Sequence, residues 1–486
     1  MRGVNGRRYF GTDGVRGLAG EAPMTAAFAL RLGAATAEHL RARAPGDPSG
    51  QRHTVLVGHD TRASSAMLVA AFAAGLASRG VDVVELGVVP TAAVAHLVKV
   101  LGADAGTMIS ASHNPFGDNG IKLFDASGFK LADTEEVAIE GLLATLAAGD
   151  DALGLEPCTH EAVGGVQRYR QSDGHYLRHL LAAAPYLDGL RVGLDVAHGA
   201  AWQVAPNVFK QIGARLDVIN AKPDGRNINQ DCGSTHPEAI TERVMRAGLD
   251  VGVAFDGDAD RALMVDARGR LVTGDQMLAI CAVVRREPAV VATTMTNLGV
   301  ERWLLDRGVR LERVQVGDRY VFERLQRDGL RLGGEQSGHL LFLEKATTGD
   351  GILSALQVLA ACRTSNVRLE SWMDQIPVYP QRLSSVPVTA ADRGAVASDE
   401  RVELALARAR EELGDDGRVD VRPSGTESVV RAMVEARDPA VVERVLGELA
   451  EAISEAARGR PAHAVTGNAA TQPGQGASSS DASEGE

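Results

Sequence analysis

A serine hydroxyl stands beside an imidazole in Ser110-Ala111-Ser112-His113-Asn114-Pro115, directly after an apolar run at 106–109. The change from apolar to polar within two residues is the composition of a strand ending in a loop, and Pro115 stops any regular continuation. A hydroxyl held on so stiff a turn suits a nucleophile or a carrier of a phosphoryl group; the plainer alternative is a polar turn whose Ser and Asn cap a helix. A second polar stretch, Asp256-Gly257-Asp258-Ala259-Asp260-Arg261, also follows an apolar run. Carboxylates at alternate positions of a tight loop repel one another unless a cation sits among them, and their hard oxygens suit Mg²⁺. A calcium EF-hand would need Gly at its sixth position and Glu at its twelfth, where Arg261 and Ala267 stand, which excludes it and leaves a solvated acidic turn as the alternative. Three protein oxygens leave Mg²⁺ with positions that a phosphate oxygen can fill.

Two further stretches carry recognition chemistry. Gly334-Glu335-Gln336-Ser337-Gly338-His339 crowds donors and acceptors together, which suits sugar hydroxyls or, more simply, a helix-capping turn. Arg422-Pro423-Ser424-Gly425-Thr426 offers a guanidinium fork, two hydroxyls and free backbone N–H groups, the kit for a phosphate, and Arg431 adds a second guanidinium. Near the N-terminus, Gly11-Thr12-Asp13-Gly14-Val15-Arg16-Gly17 reads as a glycine-punctuated loop that can face an anion.

The chain around these stretches has 486 residues, enough for three or four domains, and is 45% hydrophobic. No apolar window of about 18 residues is free of charge and the N-terminus lacks an apolar signal core, so a cytoplasmic protein is expected. Cys158, Cys232, Cys281 and Cys362 form no Cys-x-x-Cys pair, which argues against structural zinc and a disulfide framework. A net charge of −12 disfavours nucleic acid as a partner. The six lysines, Lys99, Lys122, Lys130, Lys210, Lys222 and Lys345, are few among many arginines, and an amine can move a proton where guanidinium cannot.

Positioning these loops requires a framework of alternating elements. Apolar periodicity predicts helices at 24–43, 65–79 and 92–100 between strands at 54–58, 81–86 and the one that delivers Ser112, a β-α-β grammar that implies a mainly parallel sheet. The grammar returns with strands at 190–196, 215–219 and 250–255, and again at 289–292, 310–316 and 330–333. Each unit ends its last strand in one of the polar loops, and loops at the carboxyl ends of strands can converge on one cleft. A proline-marked linker at 377–387 leads to a shorter fourth unit with helices at 399–413 and 440–458 and strands at 418–421 and 428–435. The expected fold class is α/β: three similar domains (1–155, 156–260, 261–376) with mainly parallel mixed sheets, a smaller C-terminal α+β domain (377–458) around a central cleft, and a disordered tail (459–486).

These stretches occur in the order found in the α-D-phosphohexomutases, which the chain resembles from Phe10 to about Arg458. Within that superfamily it is similar to the bacterial members acting on glucosamine phosphates. The residues that carry this are Phe10-Gly-Thr-Asp-Gly-Val-Arg-Gly17, Asn227-Ile-Asn-Gln-Asp-Cys-Gly-Ser-Thr-His-Pro-Glu238, Val316-Gly-Asp-Arg-Tyr-Val321 and Gln336. His59 stands where a lysine is common, Ala259 where a glycine is, and Ser428 where a proline is. The resemblance implies interconversion of glucosamine 6-phosphate and glucosamine 1-phosphate, a step toward UDP-N-acetylglucosamine, with glucosamine 1,6-bisphosphate as intermediate and activator. It implies a phosphoserine at Ser112 beside His113, one Mg²⁺ held by Ser112, Asp256, Asp258 and Asp260, and Arg16, Lys122 and Arg261 around the phosphoryl oxygens. Lys122 or His339 would move the hydroxyl proton. Glu335, Gln336, Ser337, Arg422, Ser424, Gly425, Thr426 and Arg431 would hold the substrate. Small sugar phosphates are the expected partners, without nucleic acid or membrane, and a homodimer is an open option. The alternatives are a phosphoglucomutase or phosphomannomutase and a non-catalytic phosphosugar-binding protein.

Overall fold

In the computed structural model the described residues are 7–11, 13–43, 52–147, 158–169, 172–389, 391–424 and 428–458. The expected tail, Gly425 and Thr426 lie outside them. The chain divides into two compact units, Met1–Tyr379 and Pro380–Glu486.

The first unit contains three mixed sheets. In the first, Ala105–Ile109, Thr54–His59, Asp82–Val88 and Val166–Arg168 run parallel, because the helices Ser65–Ala77 and Thr91–Leu101 return the chain between them. Val55, Val57, Val83 and Ile109 meet Leu32, Leu68 and Phe72 in one buried cluster, while Leu56, Leu86 and Met108 join Val94 and Val98 in another. Alternate residues of the strands thus feed opposite faces, as the twofold pleat requires. The second sheet runs in the order Leu271–Val272, Ala262–Asp266, Val251–Phe255, Arg191–Asp195 and Arg215–Ile219. The third runs Arg310–Val314, Ala289–Thr293, Leu332–Gly334 and Leu340–Phe342.

The sequence reading needs correcting at one recurrent point. The polar loops do not end their sheets; each joins a strand of the parallel set to an antiparallel partner. Residues 110–117 connect Ala105–Ile109 to Asp118–Asp125, with Ile109 opposite Ile121. Residues 256–261 connect Val251–Phe255 to Ala262–Asp266, with Phe255 opposite Ala262, and residues 335–339 connect Leu332–Gly334 to Leu340–Phe342, with Gly334 opposite Leu340. The N-terminal glycine-rich stretch is not a free loop either: Gly14–Leu18 is a strand that pairs antiparallel with Asp118–Asp125 and places Arg16 opposite Gly120.

The second unit is an antiparallel sheet in the order Gln381–Pro387, Val429–Ala436, Gly417–Pro423, with helices Glu400–Leu413 and Pro439–Arg458 over a separate core of Val402, Leu413, Val430, Val434, Val445, Leu449 and Ile453. The proline-marked stretch read as a linker contains the strand Gln381–Pro387. Pro387 is accommodated because it closes an edge strand. Among the described residues no helix is long and apolar enough to cross a membrane.

Candidate active site

Ser112 sits in a left-handed backbone conformation, φ 53°, at the buried end of a loop whose tip, Pro115 and Phe116, is exposed. That geometry is costly for a residue with a Cβ and persists only where neighbours fix it. They do so here. The Ser112 N–H donates to Ser110 Oγ (2.9 Å), and Ser110 Oγ donates to Asp60 Oδ2 (2.6 Å). The buried Arg62, itself held by Asp60, donates to the carbonyls of Ser112 (3.0 Å), Asn114 (2.7 Å) and Asp118 (3.0 Å). From the second sheet Asn229 Nδ2 donates to the carbonyls of Ser112 (2.9 Å) and Asn114 (3.0 Å). Two side chains, Arg62 and Asn229, thus both donate to the carbonyls of Ser112 and Asn114 and leave the Ser112 hydroxyl little freedom; its Oγ donates to Asp256 Oδ2 at 2.6 Å.

Asp256, Asp258 and Asp260 are buried, and each offers a carboxylate oxygen within 4.8 Å of the others. Gly257 lets this loop reach the serine: a Cβ there would fall 2.6 Å from the Ser112 carbonyl oxygen. Ala259 is left-handed at φ 57°, a conformation in which the glycine common at this place would be unstrained. Burial, and then the charges of Asp260 and Asp258, push the Asp256 carboxyl well above the usual range. Burial works against the Asp260 carboxylate too, but Lys122 and His339 outweigh it and hold it well below that range. Asp258 Oδ2 accepts from Thr91 Oγ1 (2.6 Å) and Lys122 Nζ (2.8 Å), whereas its buried Oδ1 has no hydrogen-bond partner. Three buried carboxylates, one raised by burial and its like-charged neighbours and two with an oxygen lacking a hydrogen-bond partner (Asp258 Oδ1 and Asp260 Oδ1), fit a hard divalent cation.

Cations line the same space. Arg16 donates to the Ala111 carbonyl (3.2 Å) and pairs with Asp13. Arg261 Nη1 lies 3.2 Å from His113 Nδ1, and the His113 ring stands 3.5 Å from Ser112 Oγ. Burial, with Arg261 and Arg16 beside it, pushes the His113 imidazole down to about 4. The Lys122 ammonium lies 3.0 Å from Asp13, 2.8 Å from Asp258 and 3.4 Å from Asp260, contacts that outweigh its burial and hold it charged. His339 is buried with Asp260 at 3.7 Å and Asp318 at 3.5 Å, and these two carboxylates raise its pKa against the effect of burial.

The loop of Glu335, Gln336 and Ser337 joins this group through backbone contacts: Ala262 N–H donates to the Gly338 carbonyl (3.2 Å) and Gly274 N–H to the Gln336 carbonyl (3.0 Å). Glu335 also accepts from Gly317 N (3.0 Å), and all three side chains are partly exposed. Arg422, Ser424 and Arg431 belong to the second unit, where Arg422 and Arg431 are direct cross-strand partners and the Ser424 N–H donates to the Val429 carbonyl (3.0 Å). The sequence reading did not single out Asp60, Arg62, Thr91 or Asn229 as supports; the signals were a charged Asp60-Thr61-Arg62 turn closing a buried strand and the place of Asn229 in the Asn227–Glu238 stretch.

Four family models match the chain, described as phosphoglucomutase/phosphomannomutase alpha/beta/alpha domain I at residues 7–149, domain II at 175–269, domain III at 273–379 and C-terminal domain at 383–452. The chain belongs to the α-D-phosphohexomutases. Phosphoglucosamine mutases of Deinococcus radiodurans and Thermus thermophilus are each 49% identical to this phosphohexomutase, over 92% of its length and 98% of theirs. Its fold is shared with a phosphoglucomutase/phosphomannomutase family protein of Burkholderia thailandensis (TM-score 0.75, 22% identity, 92% of this chain and 97% of that one). It is shared also with the N-acetylphosphoglucosamine mutase of Aspergillus fumigatus solved with GlcNAc-6P and magnesium (TM-score 0.60, 16% identity, 93% and 96%).

Proposed function

We propose that this phosphohexomutase interconverts glucosamine 6-phosphate and glucosamine 1-phosphate, through a phosphoserine at Ser112 and glucosamine 1,6-bisphosphate. The substrate follows the name of relatives that are 49% identical over nearly the whole chain. The observation that carries the chemistry is the buried Ser112 Oγ, 2.6 Å from Asp256, at the mouth of a three-carboxylate loop.

Ser112, Asp256, Asp258 and Asp260 would hold one Mg²⁺, which when bound neutralises charge on the oxygens of the transferring phosphoryl group. The residues do the rest. In the first half-reaction the phosphoryl passes from Ser112 Oγ to a free sugar hydroxyl: the P–O bond to serine breaks, a P–O bond to the sugar forms, and the hydroxyl proton moves to a side chain. In the second, the other phosphoryl of the bisphosphate returns to Ser112 and the proton is given back to the oxygen it leaves, so substrate and product are isomers. We assign His339 to take that proton and the charged Lys122 to give one to the oxygen that leaves, with Arg16 and Arg261 flanking the phosphoryl oxygens and the left-handed Ser112 backbone keeping the hydroxyl in line without reorganisation. Glu335 and Ser337 address ring hydroxyls, Gln336 the amino group, and Arg422, Ser424, Gly425, Thr426 and Arg431 the phosphate that is not reacting.

A coupled assay with glucosamine 6-phosphate, glucose 6-phosphate and mannose 6-phosphate tests the reading. Turnover on the amino sugar at least tenfold above the others is expected; a preference for glucose or mannose phosphate would move the chain to another branch of the family.

A further inference from the structure

Lys130 and Asp318 lie outside the four motif loops, yet both connect to groups that the proposed reaction uses, Asp318 directly to His339 and Lys130 to Lys122 through Asp13. Lys130 Nζ bridges Asp13 and Asp318. Asp13 also takes Lys122 (3.0 Å) and Arg16, while Asp318 lies 3.5 Å from His339 Nε2. His339 Nδ1 is 3.7 Å from Asp260 Oδ1, and Lys122 is 3.4 Å from Asp260 Oδ2. The contacts close on themselves: Lys122, Asp13, Lys130, Asp318, His339, Asp260, and back to Lys122. Bases and carboxylates alternate round the whole circuit, so each group has an opposite partner on both sides.

The circuit draws its members from different elements. Asp13 precedes the strand Gly14–Leu18, Lys122 lies on Asp118–Asp125 and Lys130 follows it, Asp260 is in the acidic loop, and Asp318 opens the helix Asp318–Asp328. His339 ends the loop that carries Glu335, and the backbone leaves room for its ring only because residue 349 is glycine: a Cβ there would fall 2.3 Å from the imidazole. A cavity of about 310 Å³, lined by Lys122, Lys130, Asp318, Phe129, Phe322 and Thr348, reaches the circuit from a side that Ser112, Asp256, Arg261 and Glu335 do not line. Apolar packing therefore does not seal the circuit there, and charge pairing must hold its geometry.

We infer that Lys130 and Asp318 are positioning residues of the mutase reaction, acting as one pair that fixes Lys122 through Asp13 and fixes His339 directly. Neither contacts Ser112. Without Lys130, one oxygen of Asp13 loses its partner and the carboxylate is free to rotate away from Lys122 and Arg16; without the charge of Asp318, the imidazole keeps only Asp260. Both side chains placed to move the hydroxyl proton depend on the same pair.

The inference rests on the reading of the site as a mutase and is tested apart from it by a double-mutant cycle of Lys130→Met, Asp318→Asn and the two together, in the full chain with Mg²⁺. On whichever hexose phosphate the wild type turns over fastest, each single variant should lose about tenfold or more in kcat with KM within about threefold. The double variant should be no more than about threefold worse than the poorer single, and Lys130→Arg should restore most of the rate. Thermal unfolding without substrate gives a second reading: the fall in Tm of the double variant should be smaller than the sum of the two single falls. Unchanged kcat in either single variant, losses confined to KM, or single effects that multiply in the double would overturn the pair. If Asp318→Asn does not fold, Lys130→Met and Lys130→Arg decide by the same kcat-against-KM criterion. A wild type inert toward every hexose phosphate would sink the functional reading, and the Tm cycle alone would then judge the pair.

Discussion

Ser110 and Ser112 are two residues apart, and the structure gives them different work. Ser110 Oγ accepts from the Ser112 N–H and donates to Asp60, while Ser112 Oγ faces Asp256. Ser112→Ala should therefore abolish phosphorylation and nearly all turnover, because the other hydroxyl in the loop, Ser110, is engaged by Asp60 and the Ser112 N–H. Ser110→Ala leaves a buried N–H without its acceptor, which costs about 1–3 kcal/mol and loosens the loop, so a partial fall in kcat with Ser112 still phosphorylated is expected. Mass spectrometry of the peptide holding both serines, with kinetics, checks the pair of outcomes; a phosphate on Ser110 would reverse the assignment. Ser112 and the three aspartates stand out in the sequence because the chemistry proposed for them demands particular residue types within a few positions. The supporting roles of Asp60, Arg62 and Asn229 do not, because what they support lies 50 to 117 residues away in the chain, and their own stretches show a charged turn and a polar segment without saying what they hold.

The parallel strands and amphipathic helices were legible because burial makes them apolar with a clear period. Ala262–Asp266 and Leu340–Phe342 are just as buried but escaped because the polar loop before each reads as the end of a unit, and other strands escaped through mixed composition. Asp118–Asp125 has polar or charged residues at Asp118, Asn119, Lys122 and Asp125, yet six of its eight positions are buried, because Asn119 bonds Ser64 and Lys122 enters the site. Gln381–Pro387 buries only Val386. Elements also join domains. Asp350 caps the helix Gly351–Ser365 by accepting from the Leu353 N–H (2.9 Å), and Tyr176, on the helix Ser172–Ala183, donates to its other oxygen (2.7 Å). Tyr176→Phe leaves that buried oxygen short of a donor and should cost about 1–3 kcal/mol in chemical denaturation. Burial raises the Asp350 carboxyl to about 6, against the bonds from Leu353 and Tyr176 that lower it. The folded state then holds a proton that the unfolded chain releases near pH 4, so this group's contribution to stability falls as pH rises from about 4 through 6 and is flat above. Asp350→Asn keeps the cap and removes the titration; stability profiles of the two proteins that stay parallel over that window would refute the assignment.

At the scale of the molecule, the two units have separate cores, and every residue of the candidate metal loop, the serine loop and the charged circuit lies in the first. The acidic loop meets the serine loop through Asp256 and Gly257 and meets the first sheet's helix Thr91–Leu101 through Thr91, so a cation bound there would tie sheets together within that one unit. Chain ending at Tyr379 should thus fold cooperatively and keep the cation site. A ligand that binds only the folded state stabilises it by about 2.7 kcal/mol at a hundredfold excess over its Kd, so Mg²⁺ should raise the Tm of the fragment by a few degrees, EDTA should reverse the shift, and Asp258→Asn should abolish it. If Arg422, Ser424 and Arg431 hold the non-reacting phosphate as proposed, turnover of the fragment should be low and its KM for sugar phosphate much raised. In the full chain, Arg422→Ala should likewise raise KM more than it lowers kcat. A fragment that aggregates, or melts without a cooperative transition, would show that the first core depends on the second unit; a fragment that folds but ignores Mg²⁺ would show that the three carboxylates do not form a cation site by themselves; and a fragment with wild-type KM would remove the arginine loop from substrate binding altogether.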